Sequence, residues 1–240
     1  MSAHGPMCAR SPLGIVPHMS TQPTLADELF LLAHRPDTGK GVTDGTALTV
    51  GVAGALVAEL AVTERIELDA KRVTVINHAP VGDPELDGLL ARIAGEPRPR
   101  KPDWWITKLN KRDLPRRVAT RLAAHGVIRD EEHRVLGLFP AHRYPELDPR
   151  LRQEIIGRLR AAFGGERPSA RTAALVALLN ACGMDRKVFP DMDRRTLKHR
   201  AKEISEAEWA GEATRKVIQG IRAAAAASVA ASAGAAAGSS

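Results

Sequence analysis

The stretch from Thr46 to Val62, TALTVGVAGALVAELAV, constrains this chain more than any other, because it carries a single charge, Glu59. A helix apolar on nearly every side belongs in the middle of a core. Gly51, Ala53, Gly54, Ala55 and Ala58 would let neighbouring helices approach closely, while Leu48, Val50, Val52, Leu56, Val57, Leu60 and Val62 supply volume to be packed. Spanning a bilayer takes about 20 apolar residues, so this shorter stretch, interrupted by Glu59, is expected to be a core helix rather than a membrane span.

Helices must surround such an element, and 240 residues with 44 % hydrophobic content suffice for one large domain. The expected architecture is mainly α: a single helical domain around the buried central helix, with two short β-hairpins. Its boundaries are set at 24–227. Residues 1–23, rich in Pro, Ser and Gly, form a disordered lead, and 228–240 a disordered Ala/Gly/Ser tail. Cys8 and Cys182 make neither a disulfide framework nor a zinc spacing, so a reducing cytoplasmic compartment is the default. The first twenty residues lack an apolar run of secretory length.

Before the central helix, Thr24 with Asp27 makes a helix start, and Leu25, Leu29, Leu32 and Ala33 fall on one face. The loop RPDTGKGVTDG contains a Gly-Lys pair, but a phosphate-binding Walker loop would need glycine at His34 and serine or threonine at Gly41. Beyond the central helix, Ile66 and Leu68 against Val73 and Val75 read as a hairpin. Asp83 and Pro84 start a helix with the stripe Leu86, Leu89, Leu90 and Ile93. Farther on, Leu151, Ile155, Ile156, Leu159 and Phe163 mark one helix and Leu175, Val176, Leu178 and Leu179 the next. A third begins at Arg194, and a last runs from about Glu206 to Ala227 with Trp209, Val217, Ile218 and Ile221.

The charge is concentrated between these halves. From Arg98 to Arg121 nine basic residues face two acidic ones, Asp103 and Asp113, a local +7 that equals the formal charge of the whole chain. Trp104 and Trp105 sit inside this run. A helix expected from a cap at Asp113 to Gly126 puts Leu114, Val118 and Leu122 toward the core and Arg116, Arg117 and Arg121 outward. The following VIRDEEHRVLGLFPAHRYP reads as a hairpin turning near Asp130 to His133. Its returning arm VLGLF is apolar on both faces, and so is either a buried strand or an exposed apolar tip.

Catalytic patterns are missing from the sequence: no HExxH, no GxSxG, no paired cysteines with histidine at ligand spacing, and no cofactor motif. Asp191 and Asp193 in FPDMDRR fit a helix cap better than an acid/base pair. A non-enzymatic protein with an anionic partner is expected.

Taken in order, TLADELFLLAHRPDTGKG, GALVAELAVTERIELD, HAPVGDPELDGLLARI, RLAAHGVIRDEEHRVLGLFP and RTAALVALLNACGM resemble the Golgi phosphoprotein 3 family in its bacterial form. The resemblance implies a helical domain around a buried helix with a projecting apolar hairpin. It also implies a peripheral membrane protein that binds phosphatidylinositol 4-phosphate and acts as an adaptor for cytosolic tails of glycosyltransferases. Of the four headgroup positions it implies, a Trp and an Arg are replaced by Asp44 and Ala53. Arg112 matches the third, and Pro115 stands at the fourth with Arg116 beside it.

Two readings follow. In the first, Arg112, Arg116, Arg117 and Arg121 attract anionic lipid headgroups, Trp104 or Trp105 lies at the membrane interface, and Leu136, Leu138 and Phe139 insert from the cytoplasmic side. In the second, LPRRVATRLAAHGVIRDEEHRVLGLFP is the basic helix and wing of a winged-helix nucleic-acid-binding protein, against which the acids Asp130, Glu131 and Glu132 at the wing tip count.

Overall fold

The computed structural model describes residues 22–135, 139–206 and 212–237. Among them are ten helices and two separate two-stranded antiparallel sheets, which makes the domain mainly α, as the apolar periods require. Helix α1 (Leu25–Leu32) begins with a complete capping box: Thr24 accepts from the Asp27 amide while the Asp27 carboxylate accepts from Thr24. The loop after it leads to α2 (Gly45–Val62), capped by Asp44 and buried almost throughout. By length and composition α2 alone among the described helices could cross a membrane; burial of 83 % of it in the fold, not shortness, makes it a core helix.

Small residues decide how close its neighbours come. A Cβ on Gly51 would lie 2.8 Å from the Cys182 sulfur and 2.9 Å from Leu29, and one on Gly54 3.1 Å from Leu178 and 3.2 Å from Ile221. Helix α2 therefore meets α1 and the later helices α7 (Ala170–Ala181) and α10 (Glu212–Ala237) at distances that larger side chains would forbid.

The chain then forms the hairpin β1 (Ile66–Asp69) and β2 (Arg72–Val75), with Ile66 opposite Val75 and Leu68 opposite Val73. Helix α3 (Pro84–Ala94) buries the predicted stripe under an Asp83 cap. Helix α4 (Pro102–Leu109) was not expected from the sequence; it buries Trp105, Ile106 and Leu109 against α2 and α10. Helix α5 (Leu114–Ala124) ends, as expected, before a left-handed Gly126. Asp113 precedes it without a side-chain cap and pairs instead with Arg117 at 3.6 Å.

The second hairpin differs from expectation in register. Strand β3 (Glu131–Val135) pairs with β4 (Phe139–Arg143), Val135 facing Phe139 and Glu131 facing Arg143. Asp130 to Glu132 thus lie at its base, and the turn expected near Asp130 to His133 gives way to strand pairing there. Glu131, Glu132 and His133 of the charged DEEH run pair across the ladder instead of turning.

Helices α6 (Arg150–Phe163), α7 (Ala170–Ala181), α8 (Asp185–Val188), α9 (Arg194–Glu206) and α10 (Glu212–Ala237) complete the domain. Asp193 accepts from the Thr196 amide at 2.9 Å, a cap of α9, while Asp191 pairs with Arg160 at 2.8 Å. Helix α10 reaches Ala237, beyond the expected end at Ala227, since its alanine-rich run has the highest helix propensity. The lead 1–21, Leu136, Leu138 and Trp209 lie outside the described residues.

A buried ion network ties α1, α2, α6 and α7 together. Arg171 on α7 donates to Glu28 at 2.9 Å and to Glu59 at 2.7 Å, and also to the Pro23 carbonyl. Arg158 joins Glu28, and the Leu25 amide donates to Glu59 at 2.6 Å. Glu59, the one charge of the central helix, is thus what its neighbours are pinned to.

Candidate functional site

Where α2 begins, the chain leaves a cleft of about 730 Å³. One wall is the first turn and a half of α2, with Asp44, Gly45, Thr46 and Thr49; the opposite wall holds Asn110, Arg112, Pro115 and Arg116. Phe30 from α1 and His142 and Tyr144 from the β4 side close it. The second wall owes its shape to the α4–α5 turn, in which the Lys111 amide donates to Leu109 at 2.7 Å and the Leu114 amide to Lys111 at 2.9 Å. Pro115 at the start of α5 fixes the helical φ there, so Arg112 and Arg116 are held one turn apart.

Electrostatically the cleft suits an anion. The first-turn N–H groups of Gly45 and Thr46 have no helix carbonyl within reach, and the positive end of the α2 dipole lies among them. Arg112 and Arg116 are exposed, and neither forms an ion pair among the described residues. One negative group opposes them: Asp44 lines the cleft and accepts from the Ala47 amide at 2.8 Å. Two guanidinium groups against one carboxylate leave the cleft positive, less so than a cleft without Asp44.

Tyr144, the only tyrosine of the chain, lies between charges. Burial and then the Asp130 carboxylate push its hydroxyl up to about 12, Arg116 working the other way, so the phenol stays neutral and able to donate. Its ring packs edge-on against Phe30 and His34 with centroids 5.1 Å away in each case. Burial lowers the His34 pKa, and its Nδ1 lies 2.8 Å from the Phe30 carbonyl, the arrangement of a neutral ring donating to the backbone. His142 stacks on Tyr144 and contacts Asp130 at 2.7 Å.

Of the residues singled out in the sequence, Arg112, Pro115, Arg116 and Asp44 come together here, and the others go elsewhere. Arg121 does not face outward. Its side chain, 24 % exposed, pairs with Asp27 at 2.8 Å and Asp83 at 2.9 Å and donates to Thr24 at 3.1 Å, joining α5 to the starts of α1 and α3. Arg117 is half-exposed but paired with Glu85 at 3.2 Å. The outward placement failed because a helical wheel locates solvent only when no other helix covers that side, and α1 and α3 do.

Ala53 is fully buried inside α2 and has no part in the cleft. Trp105 is 2 % exposed, a core residue, which removes it from any membrane interface. Trp104 is half-buried, packs edge-on against Trp105 and lies under Arg100 and Lys108 at 5.0 and 5.3 Å. Phe139 lies on β4 opposite Val135, at the far end of the hairpin whose base flanks the cleft. Sequence reasoning missed Tyr144, His142, Phe30 and Asn110; the isolated tyrosine after the hairpin was the only signal available.

Among the described residues no group of His, Cys, Asp and Glu is arranged to hold a metal ion. No observation favours the nucleic-acid alternative: Arg121 and Arg117, two of the three arginines on its basic helix, are engaged by carboxylates. The family model described as Golgi phosphoprotein 3 (GPP34) matches residues 25–221, most of the chain. None of the curated proteins matches it.

Proposed function

Because the chain belongs to the Golgi phosphoprotein 3 family, which is not a known enzyme family, we propose that it is a non-enzymatic peripheral membrane protein. In this reading the cleft at the start of α2 takes the anionic headgroup of a phospholipid on the cytoplasmic face of a membrane, phosphatidylinositol 4-phosphate or one like it. Cytosolic tails of membrane enzymes are its proposed clients. The observation that supports the reading is the convergence of Arg112 and Arg116, both without ion-pair partners among the described residues, on the N-terminus of an 18-residue helix. Such an N-terminus with two guanidinium groups is suited to phosphate. The hairpin flanking the cleft offers Phe139 and the sequence neighbours Leu136 and Leu138 for insertion. Asp44 in the cleft disfavours a dense negative charge and argues for loose headgroup selectivity.

Flotation with anionic vesicles over a salt series tests this. Changing Arg112 and Arg116 together to Ala should weaken binding by about 2 kcal/mol, roughly thirtyfold, at low salt and flatten the salt dependence. Replacing Phe139 with Ser should weaken binding with the salt slope unchanged. If the unaltered protein ignores anionic vesicles at low salt, the lipid function fails and the family membership speaks for fold alone.

A further inference from the structure

A second cleft, of about 830 Å³, lies between the α1–α2 loop and α8 and shares no lining residue with the first. Its lining includes Arg35 and Lys40 from the loop and Arg186 and Lys187 from α8, with Thr38 between them and no acidic side chain. All four cations are exposed, and none forms an ion pair among the described residues. The neighbouring carboxylates outside the lining have partners: Asp37 accepts from the Thr38 hydroxyl at 3.3 Å, and Asp185 from the Arg186 amide at 2.9 Å. Asp191 is held by Arg160.

Both walls are stiff. The loop closes on itself through the Arg35 amide to Lys40 and the Gly39 amide to Arg35, each 2.9 Å. Gly39 at φ +63° lies against Tyr144, where a Cβ would come within 2.2 Å of the Tyr144 nitrogen. Helix α8 is pinned at its ends by the fully buried Met184 and Phe189, the latter packed edge-on against Phe163. Four like charges held by rigid backbone around one cavity repel one another, and an anion between them would relieve that repulsion.

We propose that Arg35, Lys40, Arg186 and Lys187 form a second phosphate-binding cleft, separate from the one at the start of α2. Its size is that of small-molecule sites, about 300–1,000 Å³. Two guanidinium forks and two ammonium groups match a phosphate-bearing anion, which could be a lipid headgroup or a soluble phosphate compound. The GK sequence that fails as a Walker loop contributes here through its Lys40 charge rather than through a glycine-rich cradle.

Amide chemical shifts in the full chain, titrated with pyrophosphate, provide the test. Saturable shifts are expected at Lys40, Gly41 and Val42, and Arg35→Ala with Arg186→Ala should weaken them by roughly tenfold or more, leaving resonances in the core unchanged. The absence of saturable shifts at those amides, or their survival at full affinity in the double variant, overturns the proposal. Flotation of the same variant on phosphatidylcholine vesicles containing phosphatidic acid separates the sources. A matching loss assigns the cleft to lipid headgroups; unaltered flotation with lost pyrophosphate binding assigns it to a soluble phosphate compound. The proposal depends on the membrane function only for that source, since vesicle binding can fail while the pyrophosphate shifts persist.

Discussion

Replacing Arg171 by Met should remove the cation that α1 and α2 share. Arg171 is 22 % exposed and reaches two carboxylates, Glu28 and Glu59, that are 3 % and 5 % exposed. At an effective dielectric of about 20, one such contact is worth about 4 kcal/mol before desolvation is counted, and breaking a buried pair from one side costs about 3–5 kcal/mol. Arg158 still faces Glu28 and will offset part of the loss there, whereas Glu59 keeps only the Leu25 amide. A loss of about 3–5 kcal/mol in urea unfolding is therefore expected, a large share of a stability of about 5–15 kcal/mol.

The same network fixes the pH dependence. Burial raises the Glu59 pKa above 4.5, against the lowering exerted by Arg171 and by the Leu25 amide. A carboxyl with a raised folded pKa binds its proton more tightly when folded, so its contribution is full below 4.5 and is lost as pH rises through the raised value. Removing Arg171 takes away the main lowering influence and raises that value further. The deficit of Arg171→Met relative to the unaltered protein should thus be smallest in acid and grow toward a plateau as pH rises. Adding Glu59→Gln should recover much of it at neutral pH. A deficit below about 1 kcal/mol at neutral pH, or one independent of pH, would refute the reasoning.

Arg121→Ala should destabilise the fold by about 2–4 kcal/mol through the buried Asp27 and Asp83, while the folded fraction keeps its vesicle affinity; a selective loss of vesicle binding would return Arg121 to the headgroup site. Gly51→Val should cost about 1–3 kcal/mol of unfolding free energy in urea because its side chain meets Cys182 and Leu29, and a neutral effect would mean that α2 has room to shift. Burial, with Asp44 adding to it, pushes the Cys182 thiol up to about 12 from 9.0. In a Cys8→Ser background it should react with iodoacetamide at pH 8 about a thousandfold more slowly folded than unfolded, and comparable rates would show the site to be open.

Much of the fold was legible because helix periods are local. The stripe in α3, the capping box at Thr24 and the Gly126 stop each follow from residues within one or two turns, and the family resemblance agreed with them. Helix α4 is not legible in the sequence because its short stretch, PDWWITKL, lies behind a proline-rich linker and among charges that mask its apolar side. The β3–β4 register was misplaced for a related reason: turn preference and strand pairing compete over the same few residues, and only the partner strand decides between them.

The candidate site divides along the same line. Sequence by itself determined that a basic segment follows α3, that Arg112 and Arg116 flank the start of a helix, and that Glu59 stands alone in an apolar one. Only the tertiary structure decided which arginines are free, because Arg121 and Arg116 differ in nothing but what lies opposite: Asp27 and Asp83 from distant segments for one, an open cleft for the other. The pairing of Arg35 and Lys40 with Arg186 and Lys187 likewise joins a loop and a helix about 150 positions apart. Charge acts through space over a few ångströms, and a sequence records only separation along the chain, so the cations could be counted beforehand but not assigned.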